Sequence, residues 1–255
     1  MGLKVLLGWL ALNLGLLAAI WLIVRCWLRT RPLTGAVLAK RLMREGDADG
    51  QRPDFLMGEI AFLMRDMGDP AEGRLLAAVL SDWRGRGLLS CEMAPKKRLS
   101  GFGEDMQPTL ALAAGPSALP GAEGALFALL ESACDGTLQS SEAYNWARAH
   151  AAELRDALRR FEAEGRARLR TEGAVREQTR KGFLGTARQE RLVYTPRGQR
   201  RALALRRWEN HLLDAPGDCL PHAVLLGCGE PPQPLGRFCE WMIQGYAAGL
   251  KSSRP

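Results

Sequence analysis

Histidine and tyrosine are scarce in this sequence, which has three of each in 255 residues. The chain also has no G-x-x-x-x-G-K-[ST] or G-x-G-x-x-G loop of the kind that binds phosphate chains, and no C-x-x-C pair. None of its cysteines lies in a motif that would activate a nucleophile beside a histidine base. We therefore predict a non-enzymatic protein without a cofactor.

The six cysteines lack the regular, close spacing of a disulfide framework. We predict free thiols, as is usual in the cytoplasm. One group has metal-ligand chemistry, because zinc takes about four nitrogen or sulfur ligands. It consists of Cys219, His222, Cys228 and Cys239. The alternative interpretation, which we favour, is that these cysteines pack as small apolar side chains.

One long apolar run lies near the N-terminus, where residues 5–24 are 20 consecutive uncharged residues. At roughly 1.5 Å per residue, a helix of this length just crosses a bilayer core of about 30 Å. A cleaved signal peptide is the alternative, but its apolar region is usually shorter and ends at a small-x-small site, which is absent here. We predict an uncleaved membrane anchor over residues 1–30, with residues 5–24 in contact with lipid.

Positive charge is concentrated after this run. Lys4 is the only basic residue in front of it, whereas six basic residues follow, namely Arg25, Arg29, Arg31, Lys40, Arg41 and Arg44. Lysine and arginine are retained on the cytoplasmic side of a membrane. The pattern predicts a single-pass protein of the bacterial inner membrane, with its N-terminus outside and its C-terminal region in the cytoplasm.

The most basic part of the chain is residues 155–207, which contain 16 Lys/Arg and 6 Asp/Glu, a net charge of +10 against +7 for the whole protein. Three interpretations are open: a solvated face whose charges are offset by the interspersed glutamates, a face against anionic lipid, or a surface for the DNA backbone. The candidate basic face comprises Arg155, Arg159, Arg160, Arg166, Arg168, Arg170, Arg180, Lys181 and Arg188.

Helical periodicity dominates the chain after a polar juxtamembrane linker at residues 31–53. A helix at about 54–67 and a second helix after Pro70 carry apolar residues at helical spacing. Gly85 and Gly87 end the second helix. The residues that follow predict a short strand at 88–92, a wing or loop at 94–108 and a returning strand at 109–113. This order is typical of a winged-helix unit, here at residues 54–115.

A looser copy of the same pattern occupies residues 116–195 and carries the basic wing. Its predicted elements are a helix from Pro120, a helix from Ser140 that Gly165 ends, a half-exposed strand at 166–171, a basic loop at 172–188 and a strand at 191–194. A C-terminal helical extension at 196–255 follows, with helices that begin at Thr195-Pro196, at residue 220 and at residue 235. The predicted fold class is mainly α with short β hairpins (α+β).

Three phrases resemble blocks of a bacterial family of predicted membrane proteins that is catalogued as domain of unknown function 2207. They are LLAAVLSDWRGRGLL at 75–89, LVYTPRGQRRALALRRWENHLLD at 192–214 and CLPHAVLLGCGE at 219–230. His222 stands where the family has tyrosine. The likeness covers roughly residues 55–245, the cytoplasmic half of that family. It implies no catalytic residues, and the family's outward-facing β-rich domain is not found in front of the apolar run.

The predicted function is that of a membrane-tethered protein-interaction or scaffold module with an unidentified protein partner, whose basic face could rest on lipid. The alternative is a membrane-tethered winged-helix regulator that binds DNA. A recognition helix would need base-reading side chains on its exposed face, and the helix that begins at Ser140 mixes its arginines with acids.

Overall fold

The computed structural model describes residues 15–24, 33–42, 52–69, 71–97, 104–113, 119–134, 136–180 and 189–252. Over these residues the protein is mainly helical, with two small antiparallel sheets. The predicted α+β class with a majority of helix is therefore confirmed.

The helices lie between and after the strands rather than in one block. In chain order they are α1 (15–24), α2 (Gly35–Leu42), α3 (Met57–Asp66), α4 (Glu72–Gly85), α5 (Gly121–Glu131), α6 (Ser140–Ala149), α7 (Ala151–Thr171), α8 (Pro196–Asp214), a 3-10 helix (Pro216–Cys219), α9 (Leu220–Leu226) and α10 (Leu235–Ser252). The start of α8 follows the predicted chemistry, because the Thr195 hydroxyl accepts a hydrogen bond from Gly198 N at 3.3 Å.

The strands form two hairpins. In the first, β1 (Leu89–Lys97) pairs with β2 (Glu104–Leu112), and β2 also pairs with the short strand β3 (Thr137–Gln139). In the second, β4 (Val175–Arg180) pairs with β5 (Gln189–Tyr194). All of these pairings are antiparallel. The returning strands predicted at 109–113 and 191–194 correspond to the ends of β2, which stops at Leu112, and of β5. The wing or loop predicted at 94–108 is wrong over most of its described residues, because β1 extends to Lys97 and β2 begins at Glu104.

Both hairpins follow a helix through the same turn. Gly87 after α4 and Gly173 after α7 have φ values of +72° and +69°, which glycine adopts without steric cost. The next residue then donates back into the last helical turn, from Leu88 N to Trp83 O and from Ala174 N to Leu169 O, each at 2.8 Å. A glycine in the left-handed region, followed by a main-chain hydrogen bond to the residue five positions earlier, is the Schellman motif. The two helix–hairpin junctions are therefore structural copies of one another.

Each hairpin pairs with a segment that leads into the other unit. β3 leads into α6 and α7, yet it pairs with β2 of the first hairpin. Conversely, Leu33 leads into α2 and α3, yet it forms an antiparallel bridge with Tyr194 of β5, with N···O distances of 2.7 and 3.3 Å. The segments before and after residue 115 are thus interleaved rather than side by side.

The prediction that Gly165 ends a helix is wrong. Helix α7 continues to Thr171, so residues 166–171 are helical and not a strand, and the segment 172–188 contains strand β4 rather than only a loop. A Cβ on Gly165 would lie 2.2 Å from the main chain of Gly58. Gly165 is required where α7 crosses α3 at close range, and Gly173 is the residue that ends α7.

Two further predictions differ from the structure. The segment predicted as a linker, 31–53, contains helix α2, whose Leu38 and Leu42 are buried in the core. The helix predicted from Ser140 is divided at His150 into α6 and α7, and its N-cap is Gln139, because Glu142 of the first turn accepts from Gln139 N at 3.0 Å.

Part of the anchor predicted at residues 1–30 is described, and its residues 1–14 and 25–30 lie outside the described residues. Residues 15–24 are helical, and all ten of them are exposed. Among the residues with described positions, no helix combines the length and the apolarity needed to cross a bilayer. The buried core instead runs from α2 to α10, and its largest fully buried side chains include Trp83, Trp208 and Phe238.

The crossing of α3 and α7 gives the first testable prediction. In Gly165→Ala the new methyl group would overlap the Gly58 main chain, so the free energy of unfolding should fall by about 3 kcal/mol. Gly85→Ala is the matched control, because a Cβ there meets nothing within 4 Å and alanine favours helix by up to about 1 kcal/mol. Urea denaturation followed by far-UV circular dichroism measures both, and equal stabilities of the two variants would contradict the close crossing.

Candidate anion-binding groove

The predicted basic face is divided by the structure. Six of its members lie on α7: Arg155, Arg159, Arg160, Arg166, Arg168 and Arg170. Arg180 ends strand β4, but its side chain, together with Lys181 and Arg188, lies outside the described residues. The arginines of α7 point both inward and outward, so they do not form one continuous face.

Arg168 of α7 points inward and, together with Arg201 of α8, lies beside Glu59, whose side chain has no exposed surface. Arg201 of α8 donates from Nη2 to both carboxylate oxygens, at 3.1 and 3.0 Å, and the main-chain N–H of Leu56 donates to Oε2 at 3.0 Å. Arg168 Nε lies 3.7 Å from Oε1. A buried carboxylate needs such partners, because burial of an unpaired charge is very costly.

The same arginines hold the segment before α3. Arg168 contacts the Asp54 carboxylate at 2.9 Å, and Arg201 donates to the Asp54 main-chain oxygen at 2.9 Å and lies 4.8 Å from the centre of the Phe55 ring. Arg201 Nη1 also lies 3.2 Å from Glu172, which follows α7. This cluster joins α3, α7 and α8. Arg168 is 30% exposed, but its guanidinium is held by Asp54, Glu59 and Glu172 and does not line the groove on the other side of α7.

The outward arginines line a groove between α3 and α7, with a volume of about 820 Å³. Arg65 comes from α3, and Arg159, Arg166 and Arg170 come from α7. A smaller depression of about 590 Å³ adjoins it, is lined by Arg176 of β4, and shares Arg170 and Glu177 with the groove. We call these two depressions together the arginine groove.

Three carboxylates also line the arginine groove. Glu162 pairs with Arg65, and this hydrogen bond and charge raise the pKa of Arg65. Asp66 accepts from the Tyr194 hydroxyl at 2.8 Å, and burial raises the pKa of that hydroxyl, which keeps it a donor. The third carboxylate is Glu177 of β4. Five arginines against three acids leave the arginine groove with a surplus of positive charge.

Glu177 is shared by two arginines of α7. Arg166 Nη2 lies 2.7 Å from its Oε1, and Arg170 Nη1 lies 3.4 Å from the same oxygen. Arg159 and Arg176 have no carboxylate within ion-pair distance among the described side chains. The arginine groove can therefore accept an additional anion at physiological pH, because guanidinium groups stay protonated.

The candidate zinc ligands Cys219, His222, Cys228 and Cys239 do not form a metal site. Over the described residues, no three or more His, Cys, Asp or Glu side chains are grouped as metal ligands. Cys219 and Cys239 are buried, and burial raises the pKa of the Cys239 thiol to about 12. Cys228 donates to the Glu209 main-chain oxygen at 3.6 Å.

His222 instead packs in the core beside Trp208. Trp208 Nε1 donates to His222 Nδ1 at 3.3 Å, so the imidazole must be neutral at that nitrogen. Burial, together with the charge of Arg52, lowers the pKa of His222 to about 4. The second histidine of this region, His211, stacks on the Trp208 ring and lies 2.6 Å from Asp218.

A comparison with protein-family models, with curated protein sequences and with solved structures finds no match to this chain. The resemblance described from the three sequence phrases is not tested by these comparisons and stays a prediction.

Several residues of the candidate site were not recognised from the sequence. Arg65 and Glu177 lie far apart along the chain and share the arginine groove only because α3, α7 and β4 meet. Glu59 had a detectable local signal, because it is the third residue of α3 and accepts from the main chain before that helix. No sequence pattern, however, indicated that Glu59 would be buried beside two arginines.

The buried cluster gives the second prediction. Glu59→Gln keeps the size of the side chain but removes the one fully buried negative charge beside Arg201 and Arg168, which retain only the more exposed carboxylates of Glu172 and Asp54. We expect the free energy of unfolding to fall by about 3 kcal/mol, the range measured when one partner of a buried ion pair is removed. Glu92→Gln, at an exposed position of β1, is the control and should change stability by less than about 0.5 kcal/mol. Chemical denaturation at neutral pH measures both variants, and a Glu59→Gln protein as stable as the control would refute the proposed role of the cluster.

The third prediction concerns pH. The folded state holds the pKa of His222 near 4, below the ordinary value of 6.5, so the unfolded chain binds the proton first as the pH falls. Stability should be unaffected by this group above about pH 6.5 and should decrease between there and about pH 4, by about 3 kcal/mol in total.

His222→Asn is the variant for this measurement, because its amide oxygen can still accept from Trp208 and does not titrate. The difference in unfolding free energy between wild type and variant should change by about 3 kcal/mol across this pH range, while other groups cancel. A difference that stays constant with pH would show that His222 is not held neutral.

Proposed function

We propose that this chain is a single-pass membrane protein of the bacterial inner membrane whose cytoplasmic region is a non-enzymatic scaffold that rests on anionic lipid through the arginine groove. The observation that carries this proposal is the groove's surplus of positive charge, five arginines against three acids. Each basic group near an anionic leaflet contributes about 1 kcal/mol of attraction. A protein partner would then bind the helical surfaces that face away from the membrane.

The path of the chain supports this proposal. Leu33 pairs with Tyr194 at the outer edge of β5, and β5 belongs to the same hairpin as Arg176. Eight residues separate α1 from Leu33, and an extended chain of that length spans at most about 30 Å. If α1 is the end of a membrane anchor, the arginine groove is held close to the lipid surface.

The exposure of α1 also supports an anchor. Seven large apolar side chains of this helix are between 46% and 68% exposed, and none of its residues belongs to the buried core. They are Leu16, Leu17, Ile20, Trp21, Leu22, Ile23 and Val24. Exposed apolar side chains on a helix are stabilised by lipid contact, because a bilayer core provides the apolar surroundings that water does not.

The alternative function, a membrane-tethered DNA-binding regulator, is favoured by one observation. Helices α6 and α7 are followed directly by the hairpin β4–β5, the order of a helix-turn-helix with a wing. We regard the units at 54–115 and 116–195 as winged-helix-like on this basis. The first half of α7, however, exposes Glu153 and Asp156 beside its arginines, and carboxylates oppose contact with DNA phosphates.

Vesicle binding gives the fourth prediction. The buried core lies between Leu33 and Leu250, so a chain that begins at residue 30 keeps it and can be studied without the apolar run. This chain should bind phosphatidylglycerol vesicles at low salt, release them as salt rises, and ignore phosphatidylcholine vesicles. In Arg159→Gln/Arg176→Gln, the loss of two charges should weaken partitioning about thirtyfold.

The control is Arg148→Gln/Arg237→Gln, which removes two exposed arginines of α6 and α10 that do not line the arginine groove. It should leave vesicle binding within about twofold of wild type, apart from general charge effects. Equal weakening in both double variants would contradict a specific face. Steeply salt-dependent binding to random duplex DNA without vesicle binding would select the alternative function.

A further inference from the structure

We infer that Arg166 and Arg170 form a binding site for a phosphate group and that Glu177 occupies this site as an internal competitor when no phosphate is present. The inference rests on the proposed function, because it names the chemistry and the regulation of the arginine groove. The observation behind it is that two guanidinium groups of α7 converge on one carboxylate oxygen, Glu177 Oε1.

This arrangement satisfies the arginines only in part. Each guanidinium has five N–H donors in a planar fork, which binds carboxylate or phosphate best through two parallel hydrogen bonds. Here both arginines share a single oxygen, at 2.7 and 3.4 Å, and neither has a two-bond contact with Glu177. A phosphate group offers three terminal oxygens and up to two negative charges, so it can serve both forks at once.

The internal pairs are also weak enough to be displaced. The Arg166, Arg170 and Glu177 side chains are 48%, 65% and 34% exposed. Ion pairs with this much access to water are screened and stabilise a protein little. A phosphate dianion should therefore bind the two arginines more strongly than the single carboxylate of Glu177 does. Glu177 can move away from them because it lies on a short hairpin at the surface.

The position of Glu177 explains why it would regulate rather than abolish binding. It lines both depressions of the arginine groove, as does Arg170, so it lies where they meet. Arg159 and Arg176 lie on either side and are not paired with a described carboxylate. When phosphate replaces the carboxylate, the neighbouring arginines remain available for the rest of the ligand, whether this is a lipid headgroup or a soluble phosphate monoester.

The test uses the full chain in phosphatidylcholine nanodiscs and inorganic phosphate as the probe, titrated calorimetrically at constant ionic strength. Glu177→Gln should tighten phosphate binding about fivefold, because it removes a competing surface ion pair. The matched control Glu153→Gln removes an exposed acid of α7 outside the groove and should leave the affinity within about twofold. Arg166→Gln and Arg170→Gln should each weaken phosphate binding at least about fivefold, whereas Arg237→Gln should not.

A second arm distinguishes the two sources of phosphate. The same titration is repeated in nanodiscs that contain phosphatidic acid, whose headgroup is a phosphate monoester. Loss of the phosphate heat there identifies a lipid headgroup as the ligand, and an unchanged affinity identifies a soluble phosphate compound; both results support the site. The inference is overturned if wild type binds no phosphate, or if Glu177→Gln behaves like Glu153→Gln. Either result leaves salt-dependent binding to phosphatidylglycerol vesicles, and with it the proposed function, free to stand.

Discussion

The first turn of α3 is the point on which the described structure depends. Gly58 lets the main chain of α7 approach so closely that any side chain at Gly165 would collide with it. Its neighbour Glu59 is fully buried and accepts hydrogen bonds from Arg201 of α8 and from the chain before α3. Close approach and charge neutralisation therefore act at adjacent residues and fix α3, α7 and α8 together.

This constraint divides the arginines of α7 between two tasks. Arg168 faces the buried carboxylate, whereas Arg159, Arg166 and Arg170 face the arginine groove on the other side of the same helix. The high net charge of the segment is therefore a poor measure of the charge available to a ligand. Arg168 and Arg201 are used on the buried acid, which needs nearby cations. Among the described residues, only four other arginines of the segment line the concave surface, namely Arg159, Arg166, Arg170 and Arg176.

The interleaved hairpins explain how two similar units form one structure. Each hairpin has the same glycine turn after its helix, but each pairs with a segment that leads into the other unit: β3 lies beside β2, and Leu33 forms a bridge with Tyr194 of β5. An edge strand must be paired or protected, and here the chain itself provides the partner. The bridge to Tyr194 also places Leu33, the first described residue after α1, at the edge of the β4–β5 hairpin.

The fold class, most helices, the two returning strands and the cap at Thr195 could be predicted from the sequence, because they follow from apolar spacing and from turn and cap chemistry that acts over a few residues. The role of Gly165, the pairing of β3 with β2 and the grouping of Arg65 with Glu177 became visible only in the folded chain. A glycine in a basic stretch looks the same whether it ends a helix or allows a second helix to pass. The difference depends on which distant segment packs against the glycine. The spacing of apolar residues along one segment does not indicate which other segment that will be.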